Sequence, residues 1–328
     1  MDDEQDLPSI ISEFLETVDP LFNEIDKPLS QRPLLAGIHF IDTRVISLSG
    51  HAKAEFATSP HFAHIYHHIK AWYDDRYGPM MRGNPSGFAL AVVKVLGQPV
   101  AVKVPLTTSE VAEEGKTAWL CFPDEVMVSE RPLAWLDQAP NLATLTGSQK
   151  SALRARIAKT GTALRRVRLH LMGIEPPNPE VDDLLDGVLS ALEVAATGIV
   201  ANTPTSRLGA MWPLQMALER SMKALCLHKT GTFQEIHDLY YLYDFIAAYC
   251  PLVNRDKLKY LPNSRLMIDG RYGLAPKPSL DDAMAAYNAT LEIVSGIAMQ
   301  FDQKYRINNL RILLKKPPWT TLPDTEEV

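Results

Sequence analysis

The chain has 328 residues, 46% hydrophobic and 22% charged, with a formal net charge of -6. This is the composition expected of a soluble globular protein of one large or two ordinary domains. It gives no global pull toward nucleic acid, and it holds no run of 18 uncharged apolar residues; the most apolar helix-like segment, 187–201, is interrupted by Glu193.

The first residues, MDDEQDLPS, lack a basic region followed by an apolar one, so no secretory leader is expected. Cys121, Cys226 and Cys250 are odd in number, widely spaced and set among apolar residues, which points to buried thiols in a reducing, cytoplasmic setting. Ile11, Phe14, Leu15, Val18 and Phe22 form the stripe of a first helix that docks on its own domain or on a second copy. After the apolar run GIHFIDTRVISL, the stretch HFAHIYHHIKAWYDD reads as a helix. Phe88 to Leu96, the turn Gly97-Gln98, and Pro99 to Leu106 with its alternating Val100, Val102 and Val104 predict a β-hairpin; TAWLCFPDEVMV is a third strand. Beyond Gly147 the pattern predicts helices near 148–172, 179–201, 212–229, 233–250 and 280–303, and no further strand. Pro213 is placed in a first turn, Gly231 after a helix end, and Thr232 with Glu235 and Ser279 with Asp282 at N-terminal caps. KKPPWTTLPDTEEV is an extended tail.

Gly115-Lys116-Thr117 lacks the earlier glycine of a phosphate loop, since residue 110 is Glu, and no dinucleotide fingerprint, nucleophile elbow or paired C-x-x-C occurs. His61, His64 and His68 share a helical face with His67 beside it. Two imidazoles at i, i+4 can bind a transition metal, but a catalytic site needs a third ligand, such as Asp74 or Asp75. A solvated histidine-rich face is the favoured alternative, so no metal site and no cofactor is expected. From Gln138 to Ile174 there is no acidic residue, while Arg154, Lys159, Arg165, Arg166 and Arg168 could hold phosphates. The alternative is a solvated helix face paired with acids such as Asp182 and Asp183.

The helix holding LERSMKAL, a short loop, IHDLYYL, then RYG, and SLDDAMAAYNAT opening a last long helix together resemble the HEPN domain over about residues 205–303. The resemblance implies an up-and-down helical bundle that commonly dimerises, binds nucleotide, RNA or a protein partner, and often serves bacterial defence or toxin systems. It implies Glu219, Lys223, His237, Asp238, Arg271 and Tyr272 as the positions to test for binding. Cleaving members carry Arg, four to six residues, then His. Here seven residues separate Arg220 from His228, and the matching spacings Arg32/His39, Arg44/His51 and Arg165/His170 fall outside the matched stretch. Arg165 and His170 are the pair if the chain is a metal-independent ribonuclease. The doublet His237-Asp238 also resembles the metal-binding motif of HD hydrolases, but no earlier histidine lies between His170 and His228.

The expected architecture is an α+β N-terminal domain with a small antiparallel sheet (1–146), a helical connector with the basic helix (147–204), an all-α HEPN-like bundle (205–316) and a proline-rich tail (317–328). The leading expectation is a nucleotide-, RNA- or partner-binding protein, a homodimer or in complex with another protein and away from membranes. The alternatives are the ribonuclease and a pure interaction scaffold.

Overall fold

The structure is a computed structural model that describes residues 6–47, 60–82, 87–251, 253–262, 276–304 and 306–315. Arg271, Tyr272, His51 and the tail lie outside the described residues. The chain divides into two compact units, Met1–Ser86 and Gly87–Val328. The hairpin and the helices beyond it lie together in the second unit.

The first unit holds α1 (Leu7–Glu24), α2 (Arg32–Arg44) and α3 (Pro60–Tyr77). Asp6 starts α1 by accepting the Ser9 N–H at 3.0 Å, with Pro8 in the first turn where its missing N–H costs nothing. The predicted stripe is buried at Ile11, Phe14, Leu15 and Val18, against residues of α2 and α3, so α1 docks inside its own unit. One ion pair lies in this core: Arg32 Nη1 meets Asp19 Oδ1 at 3.2 Å, while Arg32 also donates to Lys27 O (2.8 Å) and Asn23 Oδ1 (2.7 Å). The Tyr77 hydroxyl donates to the second Asp19 oxygen. A buried pair persists when its remaining donors and lone pairs are met, as they are here.

The second unit opens with β1 (Phe88–Val95) and β2 (Gln98–Pro105), antiparallel from Phe88↔Pro105 to Val95↔Gln98 about a Leu96-Gly97 turn. Glu193, the one charge in its apolar helix, accepts the Leu90 N–H at 2.9 Å and so satisfies a donor on the hairpin's open edge. A second antiparallel sheet has the order β3 (Thr108–Glu113), β4 (Thr117–Cys121), β5 (Arg311–Lys315). This corrects the expectation of no strand beyond residue 147. β5 reads RILLK and leaves four of its five residues exposed, so it shows no alternation of burial to give it away. The third predicted strand is real only over β4, and β3 was not anticipated.

The helices are α4 (Gly147–His170), α5 (Pro179–Leu185), α6 (Val188–Val200), α7 (Pro204–Thr230), α8 (Leu239–Ile246) and α9 (Leu280–Ala298). The single helix predicted over 179–201 is broken at Asp186-Gly187, where Gly187 adopts a left-handed φ of 77°. Arg220 takes the Asp186 carbonyl freed by the break at 2.7 Å. α7 begins at a Thr203–Ser206 capping box, and Pro213 is interior rather than in a first turn. An interior proline costs about 3 kcal/mol. Burial of Leu214, Leu218, Met222 and Leu225 on the same helix outweighs that cost at about 1.5–3 kcal/mol each. Gly231 closes α7 as expected, and the Ser279–Asp282 box opens α9.

The helix expected over 233–250 starts only at Leu239. Asp238 is its N-cap, accepting the Tyr240 and Tyr241 N–H groups at 2.9 and 3.0 Å, and not Thr232. His237 therefore sits in the preceding loop. Tyr240, in the first turn of α8, is 39% exposed against Arg255. Ala283, Tyr287, Leu291, Val294 and Ala298 of α9 are buried, as is Phe301 just beyond its end. One continuous core joins the hairpin to α4, α6, α7 and α9. The three cysteines are buried free thiols, with burial pushing Cys250 up to about 11.

Candidate functional site

α4 owes its start to a reciprocal Thr146–Gln149 box and its seating to Leu153, Ile157, Leu164 and Val167. With those positions committed to the core, Arg156, Lys159 and Arg166 fall on one remaining face at helical spacing. They line a cleft of about 830 Å³ closed on its other sides by α9 and the short 3-10 helix Arg255–Tyr260. The floor is apolar, including Ala289, Ile293 and Val253, and the rim is polar. Val253 reaches the floor because residue 296 is glycine: a Cβ there would stand 2.5 Å from Val253 Cγ2.

The rim is electrostatically arranged. Lys159 Nζ lies 2.9 Å from Glu292 Oε2, and Lys257 Nζ lies 2.6 Å from Glu292 Oε1, so one carboxylate spans two ammonium groups from two walls. Burial pushes the Glu292 carboxyl up, but hydrogen bonds from Lys257 and Lys159 outweigh it and hold the group below the ordinary carboxylate range. Arg166 pairs with Glu125, and its Nε has no hydrogen-bond partner among the described residues. Arg156 donates to Lys94 O at 2.8 Å. Tyr260 stands at the rim, 48% exposed. None of these cations is paired with Asp182 or Asp183 in the structure; their acids are Glu125 and Glu292. Arg154 and Arg168 are exposed but do not line the cleft.

Arg165 belongs to a different place. Its side chain is 0% exposed, donates from Nη1 to Glu130 Oε2 (2.7 Å) and Glu125 O (3.0 Å), from Nε to Pro105 O (2.8 Å), and pairs from Nη2 with Glu130 Oε1. Every guanidinium nitrogen is taken, so Arg165 cannot face a phosphate, and its expected role there is corrected to that of a buried strut. His170 is mostly buried, with Nε2 3.9 Å from Asp124 Oδ2, beyond hydrogen-bond reach. Burial lowers its pKa from 6.5, although Asp124 works against it. The ribonuclease pair therefore lacks a free arginine.

Four of the residues drawn from the family resemblance do gather. Glu219, 6% exposed on α7, meets Lys223 Nζ at 2.8 Å one turn on and His237 Nδ1 at 2.8 Å from the loop before α8. Lys223 also lies over the Phe233 ring, and Asp238 caps α8 next to His237. This cluster ties the loop to α7, while its imidazole remains largely exposed. Arg220 and His228 are not brought together: the first holds the α5–α6 break, and the second pairs with Asp302 at 3.2 Å. Of the other spacings, Arg32 is consumed by Asp19 and His39 packs near the Phe14 ring. Among the described residues no group of three or more His, Cys, Asp or Glu is placed to hold a metal; His64 and His68 stack edge to face at 4.8 Å.

Lys257, Tyr260 and Glu292 were not singled out from sequence, whereas Arg156 belongs to the acid-free basic stretch. Glu292 did leave a signal, as an isolated acid in the apolar run ATLEIV. Lys257 and Tyr260 come from a short polar segment whose approach to α4 depends on tertiary packing.

No helix among the described residues is long and apolar enough to cross a membrane. No curated protein and no solved structure matches the chain. The family model for the HEPN domain matches residues 208–298, which span most of α7 and all of α8 and α9, and the N-terminal half has no family match. The chain therefore holds a HEPN domain in its C-terminal part.

Proposed function

We propose that this protein binds the phosphate groups of RNA or a nucleotide in the cleft between α4 and α9. The observation that carries the reading is the convergence of Arg156, Lys159, Arg166 and Lys257, from two separate elements, on a cleft with an apolar floor and a rim tyrosine. Cations track phosphates, and an exposed ring offers a base a stacking surface. The HEPN match supports a nucleotide- or RNA-related role, for which ribonuclease and toxin systems are frequent settings. α9 belongs to the matched segment and α4 does not, so the cleft joins the family domain to a helix outside it.

Magnitudes separate the cations that hold the fold from those free to act. Exposed ion pairs contribute only about 0–1 kcal/mol. Lys159 is 74% exposed and can exchange its partner cheaply, and Arg166, itself 27% exposed, pairs with a Glu125 that is 65% exposed and free to swing away. Arg165 cannot, because breaking a buried pair costs about 3–5 kcal/mol. Binding is therefore favoured over cleavage by Arg165 and His170. The test is equilibrium binding of a short single-stranded oligoribonucleotide, with EDTA present and the RNA recovered afterwards. The wild type should bind and return the RNA intact, whereas Lys159→Glu with Arg166→Glu should weaken binding by about tenfold or more. Undiminished binding by that variant would remove the cleft from the account, and metal-independent cleavage abolished by His170→Ala would restore the ribonuclease.

A further inference from the structure

We infer that Glu292 occupies the seat of a nucleoside phosphate, and that ligand binding exchanges its carboxylate for a phosphate between Lys159 and Lys257. The inference rests on the reading of the cleft as a phosphate-binding site. Glu292 Oε2 receives Lys159 at 2.9 Å and Oε1 receives Lys257 at 2.6 Å, so each oxygen serves one ammonium. Two non-bridging phosphate oxygens have nearly the same spacing and at least the same charge as that carboxylate, and each oxygen can take one ammonium. The seat has a direction: α4 and the short 3-10 helix each supply one lysine, the floor beside it is apolar, and Tyr260 stands at the rim. A bare anion would use only the lysines. A ligand with a base attached to its phosphate would use the floor and the ring as well.

The exchange is cheap in either direction. The pair partners are partly exposed, Lys159 at 74%, Glu292 at 40% and Lys257 at 28%, and pairs of that kind are individually weak. Glu292 is held ionised by the same two lysines, so it competes at neutral pH as a full charge. Its competition sets the affinity and favours ligands that also engage the floor.

The experiment compares wild type with Glu292→Gln, Lys159→Ala/Lys257→Ala and, as a control for net charge, Asp281→Asn. Asp281 pairs with Lys94 and does not line the cleft. Each protein is titrated by fluorescence polarisation with a labelled single-stranded RNA of about eight nucleotides and with a fluorescent ATP analogue, which separates a strand from a free nucleotide as the phosphate source. Glu292→Gln should tighten binding of whichever probe the wild type takes by about three- to tenfold, Asp281→Asn should leave it unchanged, and the double lysine variant should lose it. If the lysine variant weakens binding while Glu292→Gln does not exceed wild type or Asp281→Asn, the exchange is wrong and the cleft reading stands. If neither wild type nor Glu292→Gln binds either probe, both fail. Thermal melts of each variant confirm that the comparison is between folded proteins.

Discussion

Arg165 and Lys159 lie less than two turns apart on one helix and face opposite fates: one is sealed against Glu130, the other reaches into solvent beside the cleft. Their difference fixes the first prediction. Arg165→Ala leaves the Glu130 carboxylate, 9% exposed, without its partner, and should lower unfolding free energy by about 3–5 kcal/mol in a urea titration. A decrease below about 1 kcal/mol would show that Arg165 is not a strut. His170 gives a pH signature. Its folded pKa is depressed below 6.5 by burial, so the unfolded chain takes up the proton first. The stability it contributes is complete above pH 6.5 and is lost as pH falls from there through the lower folded pKa. His170→Gln should therefore flatten the decline in melting temperature just below pH 6.5; an unchanged profile would place the titration elsewhere.

At the scale of elements, α8 depends on a single side chain for its start. Asp238→Ala removes the acceptor for two N–H groups and should cost about 1 kcal/mol in the same titration. A neutral result would mean that the loop from Gly231 orders α8 by other interactions, such as His237 with Glu219. Strong periodicity and a true capping box made part of the fold legible: the stripe of α1, the Ser279–Asp282 box and the hairpin all follow from local sequence. What escaped was decided elsewhere. Thr232 and Glu235 have the spacing of a cap, yet Asp238 wins, and α7 runs through Pro213 because Met211 and Leu214 around it are buried in the core. β5 exists because β4 offers it a partner almost 200 residues away in sequence, which no local pattern reports. The site was legible by half. The basic face of α4 shows in the sequence as a stretch free of acids, but which cations remain free depends on Glu130, Glu125 and Glu292, and those partners are set by packing.

For the whole molecule, the net charge of -6 makes a local basic cleft more informative than it would be on a basic protein, because general attraction cannot account for polyanion binding. The HEPN domain supplies α9 as one wall, and the helix before the matched segment supplies the cations of the other. On the proposed reading, the family match over 208–298 takes in α9 and the short 3-10 helix of the cleft but not α4. The central claim is that phosphate meets the cations of α4 in this cleft, and salt dependence addresses it most directly. Binding of single-stranded RNA should weaken with salt, and Lys159→Glu with Arg166→Glu should make the logarithmic slope shallower by about 0.7 for each phosphate that the variant no longer neutralises. An identical affinity and slope in wild type and variant would contradict the account.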